Sequence, residues 1–230
     1  MAEPLVLVPG LLCTEALWQP QIDALGADCE LIIADHRSHD SLGDIAAALL
    51  ETAPPRFALA GLSMGGYVAL EVMRQAPQRV SRLALLDTTA RADNDERRDI
   101  RRRFIALAEE AGLQEVVGKL LPQFLSAEHL KNPQLVATIR EMAAETGFEA
   151  FARQQTAIMT RPDSLPDLAR IACPTMVLVG AEDALTPPDA AHEMHEAIAG
   201  SDLVVVPECG HISTLEQPEA VNEAMRSWLG

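Results

Sequence analysis

Six short apolar runs, separated by segments with helical periodicity, constrain the fold of this chain more than any other feature. The runs are unbroken and often β-branched, as are strands that a parallel sheet buries on both faces. They lie at Leu5–Val8, Leu31–Ala34, Phe57–Ala60, Leu83–Leu86, Met176–Val179 and Leu203–Val206. Apolar residues recur at helical spacing between the runs, for example over residues 42–50 and 221–229. This order predicts an α/β fold with a mostly parallel sheet of about six strands and helices on both faces.

The alternation stops between residues 91 and 166, where the pattern is helical throughout. Glycines and prolines divide this stretch into about four predicted helices, at Gly112, Pro122, Pro133 and Gly147. Because the strand pattern resumes afterwards, we expect residues 1–90 and 167–230 to form one sheet core. Residues 91–166 are then predicted to be an inserted helical cap over the ends of the strands.

The charge of the chain narrows the classes of partner. Its formal net charge is −16, and such an excess of acidic side chains repels phosphates and anionic membrane surfaces. No apolar stretch of the sequence is long enough to span a bilayer. We therefore expect a small-molecule substrate, with no nucleic-acid or membrane partner, while the oligomeric state stays open.

Five arginines between residues 97 and 103 are the main concentration of positive charge, and acidic residues lie among them. This mixture favours a solvated helix face with internal ion pairs. A site for an anionic substrate or partner is the weaker alternative.

The cysteines and the missing cofactor motifs suggest a cytoplasmic enzyme without a metal. Cys13, Cys29, Cys173 and Cys209 have neither close pairing nor CxxC spacing, which disfavours a zinc site or a disulfide framework. The N-terminal pattern is not that of a signal peptide, so reduced thiols in the cytoplasm are expected. No phosphate-binding loop or dinucleotide fingerprint is present, and no cofactor is predicted.

A G-x-S-x-G motif at Gly61–Gly65 is the strongest indication of chemistry. It follows the Phe57–Ala60 strand directly and precedes a helical pattern. A serine on such a tight turn projects its hydroxyl above the sheet, and the flanking glycines remove Cβ atoms that would collide. The helix that follows directs its N–H groups towards a developing oxyanion. The motif therefore predicts Ser63 as a nucleophile.

An acid and a histidine occur later in the chain in the order that a serine triad requires. Asp183 follows the Met176–Val179 strand and His211 follows the Leu203–Val206 strand, so both are expected at the ligand-binding edge of the sheet. Asp87 also ends a strand and is the alternative acid. Glu182 is adjacent to the same turn as Asp183, but its side chain should point elsewhere.

These motifs resemble the α/β-hydrolase superfamily, especially its branch of capped esterases and enol-lactonases. The matching stretches extend over nearly the whole chain and comprise Val8–Leu12, Gly61–Gly66, Gly180–Pro188 and Gly210–Pro218. The resemblance implies an α/β-hydrolase fold in which Ser63 is the nucleophile, His211 the base and Asp183 the acid that orients the base. The backbone N–H groups of Leu11 and Met64 are the expected oxyanion-hole donors.

The expected activity is cleavage of a carboxylic ester or lactone of a small, partly apolar substrate. Several apolar residues are candidates for the pocket under the cap, although each could instead be simple core: Leu12, Trp18, Phe104, Phe124, Phe151 and Met159. One alternative keeps the fold and the triad but changes the reaction to C–C bond hydrolysis, cyanohydrin cleavage or acyl transfer. Another is a non-catalytic binding protein with the same fold.

The other histidines carry weaker indications. His36 and His39 follow the second strand near the expected site, where a surface loop is favoured over substrate contact. His192 and His195 are three residues apart on a predicted helix, where a solvent-facing pair is favoured over a metal site.

Overall fold

The computed structural model describes residues 3–230. Within these residues, six parallel strands form one central sheet. The strands are β1 (Leu5–Val8), β2 (Leu31–Ile33), β3 (Phe57–Leu62), β4 (Val80–Leu86), β5 (Thr175–Gly180) and β6 (Asp202–Val206). Their order across the sheet is β2-β1-β3-β4-β5-β6, and every neighbouring pair is parallel. Each of the six apolar runs forms a strand, as the sequence predicts.

Helices connect the strands and cover both faces of the sheet. Their bounds are α1 (Gln19–Leu25), α2 (Leu42–Thr52), α3 (Met64–Gln75), α4 (Asp95–Ala111), α5 (Leu113–Phe124), α6 (Pro133–Thr160), α7 (Pro188–Ala197), α8 (Ser213–Glu216) and α9 (Pro218–Leu229). Short 3-10 turns occupy Glu15–Trp18, Pro77–Arg79, His129–Lys131 and Leu165–Arg170. Helices α2, α3 and α7 share an apolar core with one face of the sheet, and α1 and α9 share a core with the other.

Alternation along each strand divides the apolar side chains between the two faces. In β1, Leu5 and Leu7 join the core next to α1 and α9, while Val6 and Val8 join the core next to α2 and α3. Successive side chains of a strand point to opposite faces, so a strand that is buried twice must be apolar at every position. This requirement explains the unbroken apolar runs in the sequence.

Helices α4, α5 and α6, which we call the cap helices, are inserted between β4 and β5. Gly112 separates α4 from α5 with a φ of 89°, and Gly147 interrupts α6 with a φ of 76°. Both angles lie in the left-handed region that favours glycine. Pro122 does not divide two helices, because it lies near the C-terminal end of α5. Helical breaks therefore occur at three of the four predicted positions.

The end of α5 is hydrogen-bonded to a loop of the sheet core. The carbonyl oxygen of Phe124 accepts the backbone N–H groups of His211 (2.9 Å) and Ile212 (3.2 Å). The buried carboxylate of Glu216 accepts the backbone N–H of Ser126 at 2.8 Å. These bonds join the cap helices to the chain that follows β6. None of the helices within residues 3–230 combines the length and apolar character needed to cross a membrane.

Candidate active site

Ser63 lies on the turn between β3 and α3 in a conformation that few residues adopt. Its φ of 56° and ψ of −114° form a sharp strand-to-helix bend. The backbone N–H of Ser63 donates to the Leu86 carbonyl (2.9 Å), and the Thr88 hydroxyl donates to the Ser63 carbonyl (2.8 Å). Backbone strain of this kind persists only where neighbouring contacts impose it. The turn is therefore held by β4 and the loop after it.

The glycines of the G-x-S-x-G motif are required by close backbone contacts. A Cβ atom added to Gly61 would overlap the carbonyl of Gly65, and one added to Gly65 would overlap the carbonyl of Val8. The backbone cannot move away from these contacts without displacing β1 or β3. The motif thus packs the first turn of α3 tightly against the sheet and places the serine hydroxyl at its edge.

Hydrogen bonds connect Ser63, His211 and Asp183 in one chain. His211 Nε2 lies 2.8 Å from Ser63 Oγ, and His211 Nδ1 lies 2.8 Å from Asp183 Oδ2. The imidazole is buried and lies 6.0 Å from the ring of Phe124, nearly parallel to it. The three residues that the sequence predicts as a catalytic set are thus brought together from three separate loops.

The Asp183 carboxylate is held as an anion by several donors. Asp183 Oδ1 accepts the backbone N–H groups of Leu185 (2.8 Å) and Thr186 (3.0 Å), and Oδ2 accepts the Thr186 hydroxyl (2.7 Å). Burial alone would raise the pKa of Asp183, but the charge and hydrogen bond of His211, with the Thr186 donors, hold it below the ordinary value. Burial alone would lower the pKa of His211, but the Asp183 carboxylate raises it above the ordinary 6.5.

Asp87, the alternative acid, has different partners. Its Oδ1 accepts the Gly180 N–H at 2.9 Å, and its Oδ2 accepts the N–H of Ser213 (3.3 Å) and the Ser213 hydroxyl. Within the described residues it forms no hydrogen bond with His211. Burial, together with the neighbouring Asp183 carboxylate, raises the pKa of Asp87 to about 8. The geometry therefore favours Asp183 as the partner of the imidazole.

The two predicted oxyanion-hole donors lie beside the serine. Met64 is the first residue of α3, and Leu11 borders the cavity above Ser63. Among the hydrogen bonds of residues 3–230, neither backbone N–H has an acceptor, so both are free for a ligand oxygen. The N–H of the next residue, Leu12, already has an acceptor within the protein. It donates to Gln154 Oε1 of α6 at 3.2 Å.

His36 supports the loop that contains Leu11. It is buried, and its Nε2 lies 2.9 Å from the Gly10 carbonyl. Burial lowers its pKa to about 4, so the ring is neutral and Nε2 carries the proton that this bond requires. The surface-loop prediction is therefore wrong for His36, although His39 is exposed. Sequence reasoning missed this contact because it joins residues 26 positions apart.

A cavity of about 220 Å³ opens above Ser63 and His211, between the strand ends and the cap helices. Two of the pocket candidates, Phe104 and Phe124, are among the residues that line it. The other four pocket candidates do not, and this corrects the prediction. Leu12, Trp18 and Phe151 are fully buried in the apolar core instead. Met159 is only half-buried and follows the lining residue Ile158 on α6, where a helix turns by about 100° per residue.

Sequence reasoning missed several residues of the cavity wall. The additional side chains include Cys13, Tyr67, Arg97, Ile100, Arg101, Leu120, Gln123, Gln155, Ile158, Leu185 and Thr186. The sequence did indicate that the four lining residues of α4 share one helix face. They have the i, i+3, i+4, i+7 spacing of such a face: Arg97, Ile100, Arg101 and Phe104. The Cys13 thiol is not a competing nucleophile, because burial raises its pKa to about 12.

The parallel sheet, the serine turn and the strand-end loops are those of the alpha/beta hydrolase family, whose sequence model matches residues 5–224. The chain therefore belongs to this family.

Three relatives illustrate the range of related enzymes. A solved esterase from Thermogutta terrifontis, with malate bound, is 30% identical and has a TM-score of 0.91 over 100% of this chain and 90% of its own. A solved enol-lactonase from Burkholderia xenovorans is 26% identical, with a TM-score of 0.90 over 100% and 92% of the two chains. A protein of Serratia proteamaculans named as a carbamate hydrolase, RutD, is 27% identical over 100% of this chain and 91% of its own.

Proposed function

We propose that this hydrolase cleaves the carboxylic ester or lactone bond of a small substrate, with Ser63 as the nucleophile. The observation that carries the proposal is the pair of 2.8 Å contacts that links the serine hydroxyl, the imidazole and the Asp183 carboxylate. The esterase and enol-lactonase among the relatives support the same class of bond.

In the first half of the reaction, Ser63 Oγ attacks the substrate carbonyl carbon and His211 Nε2 takes the hydroxyl proton. The Nδ1–H group of His211 donates a hydrogen bond to Asp183. This bond fixes the tautomer of the ring and stabilises the imidazolium. The carbonyl oxygen becomes an oxyanion within reach of the N–H groups of Leu11 and Met64. Losing one such donor typically costs about 3 kcal/mol of transition-state stabilisation.

The first tetrahedral intermediate then collapses. The bond from the carbonyl carbon to the alkoxy oxygen breaks, the imidazolium of His211 protonates that oxygen, and the acyl group stays on Ser63. The alcohol leaves, or stays in the same molecule when the substrate is a lactone. The second half regenerates the enzyme. A water molecule then attacks the acyl group on Ser63 and gives its proton to His211. The tetrahedral intermediate expels Ser63 Oγ, which recovers a proton, and the carboxylic acid is released.

The cavity matches a small, partly apolar acyl group. Its volume of about 220 Å³ leaves room for a short chain. Phe104, Leu120 and Phe124 of the cap helices contribute apolar surface to the cavity that Ser63 also lines. A substrate that displaces water from these side chains gains hydrophobic binding energy, and this favours esters with short carbon chains over larger lipids.

Hydrolysis of p-nitrophenyl butyrate by the wild-type protein, Ser63→Ala and the exposed control Ser227→Ala tests the proposal. We expect S63A to lose at least about 10³-fold in kcat, because a triad without its nucleophile keeps only residual catalysis, and S227A to match the wild type. A fluorophosphonate probe should label the Ser63 peptide, which mass spectrometry identifies. Equal rates for S63A and wild type, with no labelling, would end the proposal. An aryl carbamate tested alongside the ester shows whether the enzyme cleaves a carbamate bond instead.

A further inference from the structure

The cavity wall differs in charge from the rest of the chain. The chain as a whole has a net charge of −16. Among the described residues that line the cavity, two are arginines, Arg97 and Arg101, and none is an aspartate or glutamate. A narrow opening lined by one sign of charge concentrates ligands of the opposite sign. The charged side chains of the cavity wall are therefore opposite in sign to the net charge of the chain.

Two of the five arginines of helix α4 line the cavity. Arg97 and Arg101 are one helical turn apart and border the cavity, with the apolar side chains of Ile100 and Phe104 on the same face. Arg102 and Arg103 are exposed and do not line the cavity, and Arg102 pairs with Asp99 at 2.5 Å. The predicted solvated, ion-paired face is therefore incomplete: Arg97 is exposed and Arg101 is half-buried and ion-paired with Asp93, but both also border the cavity.

The positive charge near the cavity is only partly neutralised. Asp93 has a fully buried carboxylate that pairs with Arg101 at 2.5 Å and with Arg161 at 2.9 Å. One carboxylate between two guanidinium groups leaves a net positive charge. Arg101 also donates to Gln155 Oε1 at 2.9 Å, which fixes its position at the wall. Arg97 has no ion pair with any of residues 3–230.

We propose that the substrate carries a carboxylate in addition to the ester or lactone carbonyl, and that Arg97 and Arg101 bind this carboxylate. The inference rests on the proposed function, since it assigns the second end of a substrate whose carbonyl lies at Ser63. Its carbon chain passes the apolar residues Phe104 and Phe124 between the two ends. Arginine suits this role, because its planar group of donors matches a carboxylate in charge and geometry.

The test compares two chromogenic substrates of similar length. The p-nitrophenyl hemiester of adipic acid carries a carboxylate at its far end, and p-nitrophenyl heptanoate does not. The readout is the ratio of kcat/KM for the hemiester to kcat/KM for the neutral ester. We expect the ratio to fall about tenfold in Arg97→Gln and further in Arg97→Glu, because a hydrogen bond to a charged group is removed and then replaced by repulsion. Arg101→Gln should lower the same ratio.

Arg103→Glu is the matched control, because it makes the same change in net charge on the same helix but outside the cavity wall. It should leave the ratio within about twofold of the wild-type value, since exposed charges more than about 8–10 Å apart are largely screened at physiological salt. A ratio that is unchanged in R97E, or lowered equally in R103E, would overturn the carboxylate inference.

The two proposals fail in different ways. If the wild-type protein hydrolyses the neutral ester and this activity requires Ser63, but the arginine variants keep the wild-type ratio, only the carboxylate inference is wrong. If neither ester is hydrolysed and the fluorophosphonate probe does not label Ser63, the proposed function itself is wrong. Thermal unfolding of each variant confirms that the compared proteins are folded.

Discussion

The loops after β4 and β5 each place a buried aspartate near His211, yet the two carboxylates have different environments. Asp183, after β5, accepts hydrogen bonds from the imidazole and from Thr186. Asp87, after β4, accepts bonds from the backbone N–H of Gly180 and from the backbone N–H and hydroxyl of Ser213. Position at a strand end therefore selects candidates, and the hydrogen-bond donors around each carboxylate decide its role.

The electrostatics of the two aspartates diverge for the same reason. His211 and the Thr186 donors outweigh burial at Asp183 and lower its pKa, whereas burial and the Asp183 charge raise the pKa of Asp87 to about 8. Like charges at close range disfavour ionising both groups. At neutral pH the pair thus keeps one negative charge, and that charge lies beside the imidazole.

The largest expected effect separates the two aspartates directly. Asp183→Asn should reduce kcat about 10⁴-fold, because the amide stabilises the wrong tautomer of the imidazole and cannot stabilise its cation. Steady-state hydrolysis of an aryl ester measures the loss. If Asp87→Asn lost as much activity as D183N, the assignment of roles to the two loops would be wrong.

The second effect is the acid limb of the pH profile. The base must be neutral to take the serine proton, and the pKa of His211 is raised above 6.5, so kcat/KM should fall about tenfold per pH unit below that pKa. Two units below it, the loss is about 100-fold. Asp87→Asn should leave the midpoint close to the wild-type value, because Asp183 is the charge in contact with the imidazole. A profile that is flat through the acid range would count against His211 as the base.

A smaller effect is expected from the hydroxyl that supports Asp183. Thr186→Val removes the donor 2.7 Å from Asp183 Oδ2 and keeps the shape of the side chain. A hydrogen bond to a charged group is typically worth about 1.5–3 kcal/mol, and we expect kcat to fall about tenfold. Thr186→Ser keeps a hydroxyl and is the control that should recover most of the activity. Equal activity in T186V and wild type would mean that the backbone donors hold Asp183 without this hydroxyl.

The smallest effect on activity is expected for Asp87→Asn, within about threefold near pH 7, because an amide resembles the neutral acid in size and charge. Its effect on stability depends on pH. In the unfolded chain Asp87 ionises above its ordinary 3.8, but in the folded protein it stays protonated up to about 8. The folded state therefore binds the extra proton, and the contribution of Asp87 to stability declines as pH rises through this window.

Thermal unfolding at several pH values between about 4 and 8 measures this dependence. The D87N variant should lose less stability than the wild type as the pH rises, since it lacks the proton that wild-type Asp87 binds on folding. Identical pH dependence in both proteins would show that Asp87 is ionised in the folded state.

Features with a strong local pattern were predictable from the sequence. Continuous apolar runs indicate strands buried on both faces, and the parallel topology brings their following loops to one edge, where Ser63, Asp183 and His211 meet. Tertiary contacts were not predictable in the same way. The bond from His36 to Gly10 and the burial of Trp18 depend on how distant segments pack. Likewise, the helical period shows that Arg97 and Arg101 lie on one face of α4, but it does not show that this face borders the cavity.

The bonds from the Phe124 carbonyl to the His211 segment limit how the cap helices can move. If all three moved outward as one rigid body, these bonds would break and the segment that carries His211 would lose its contact with α5. A movement that keeps these bonds must leave the end of α5 in place, so we expect any opening of the cavity along α4, where Ile100 is 41% exposed. Substrate and product would then enter and leave past the part of the wall that Arg97 and Arg101 form.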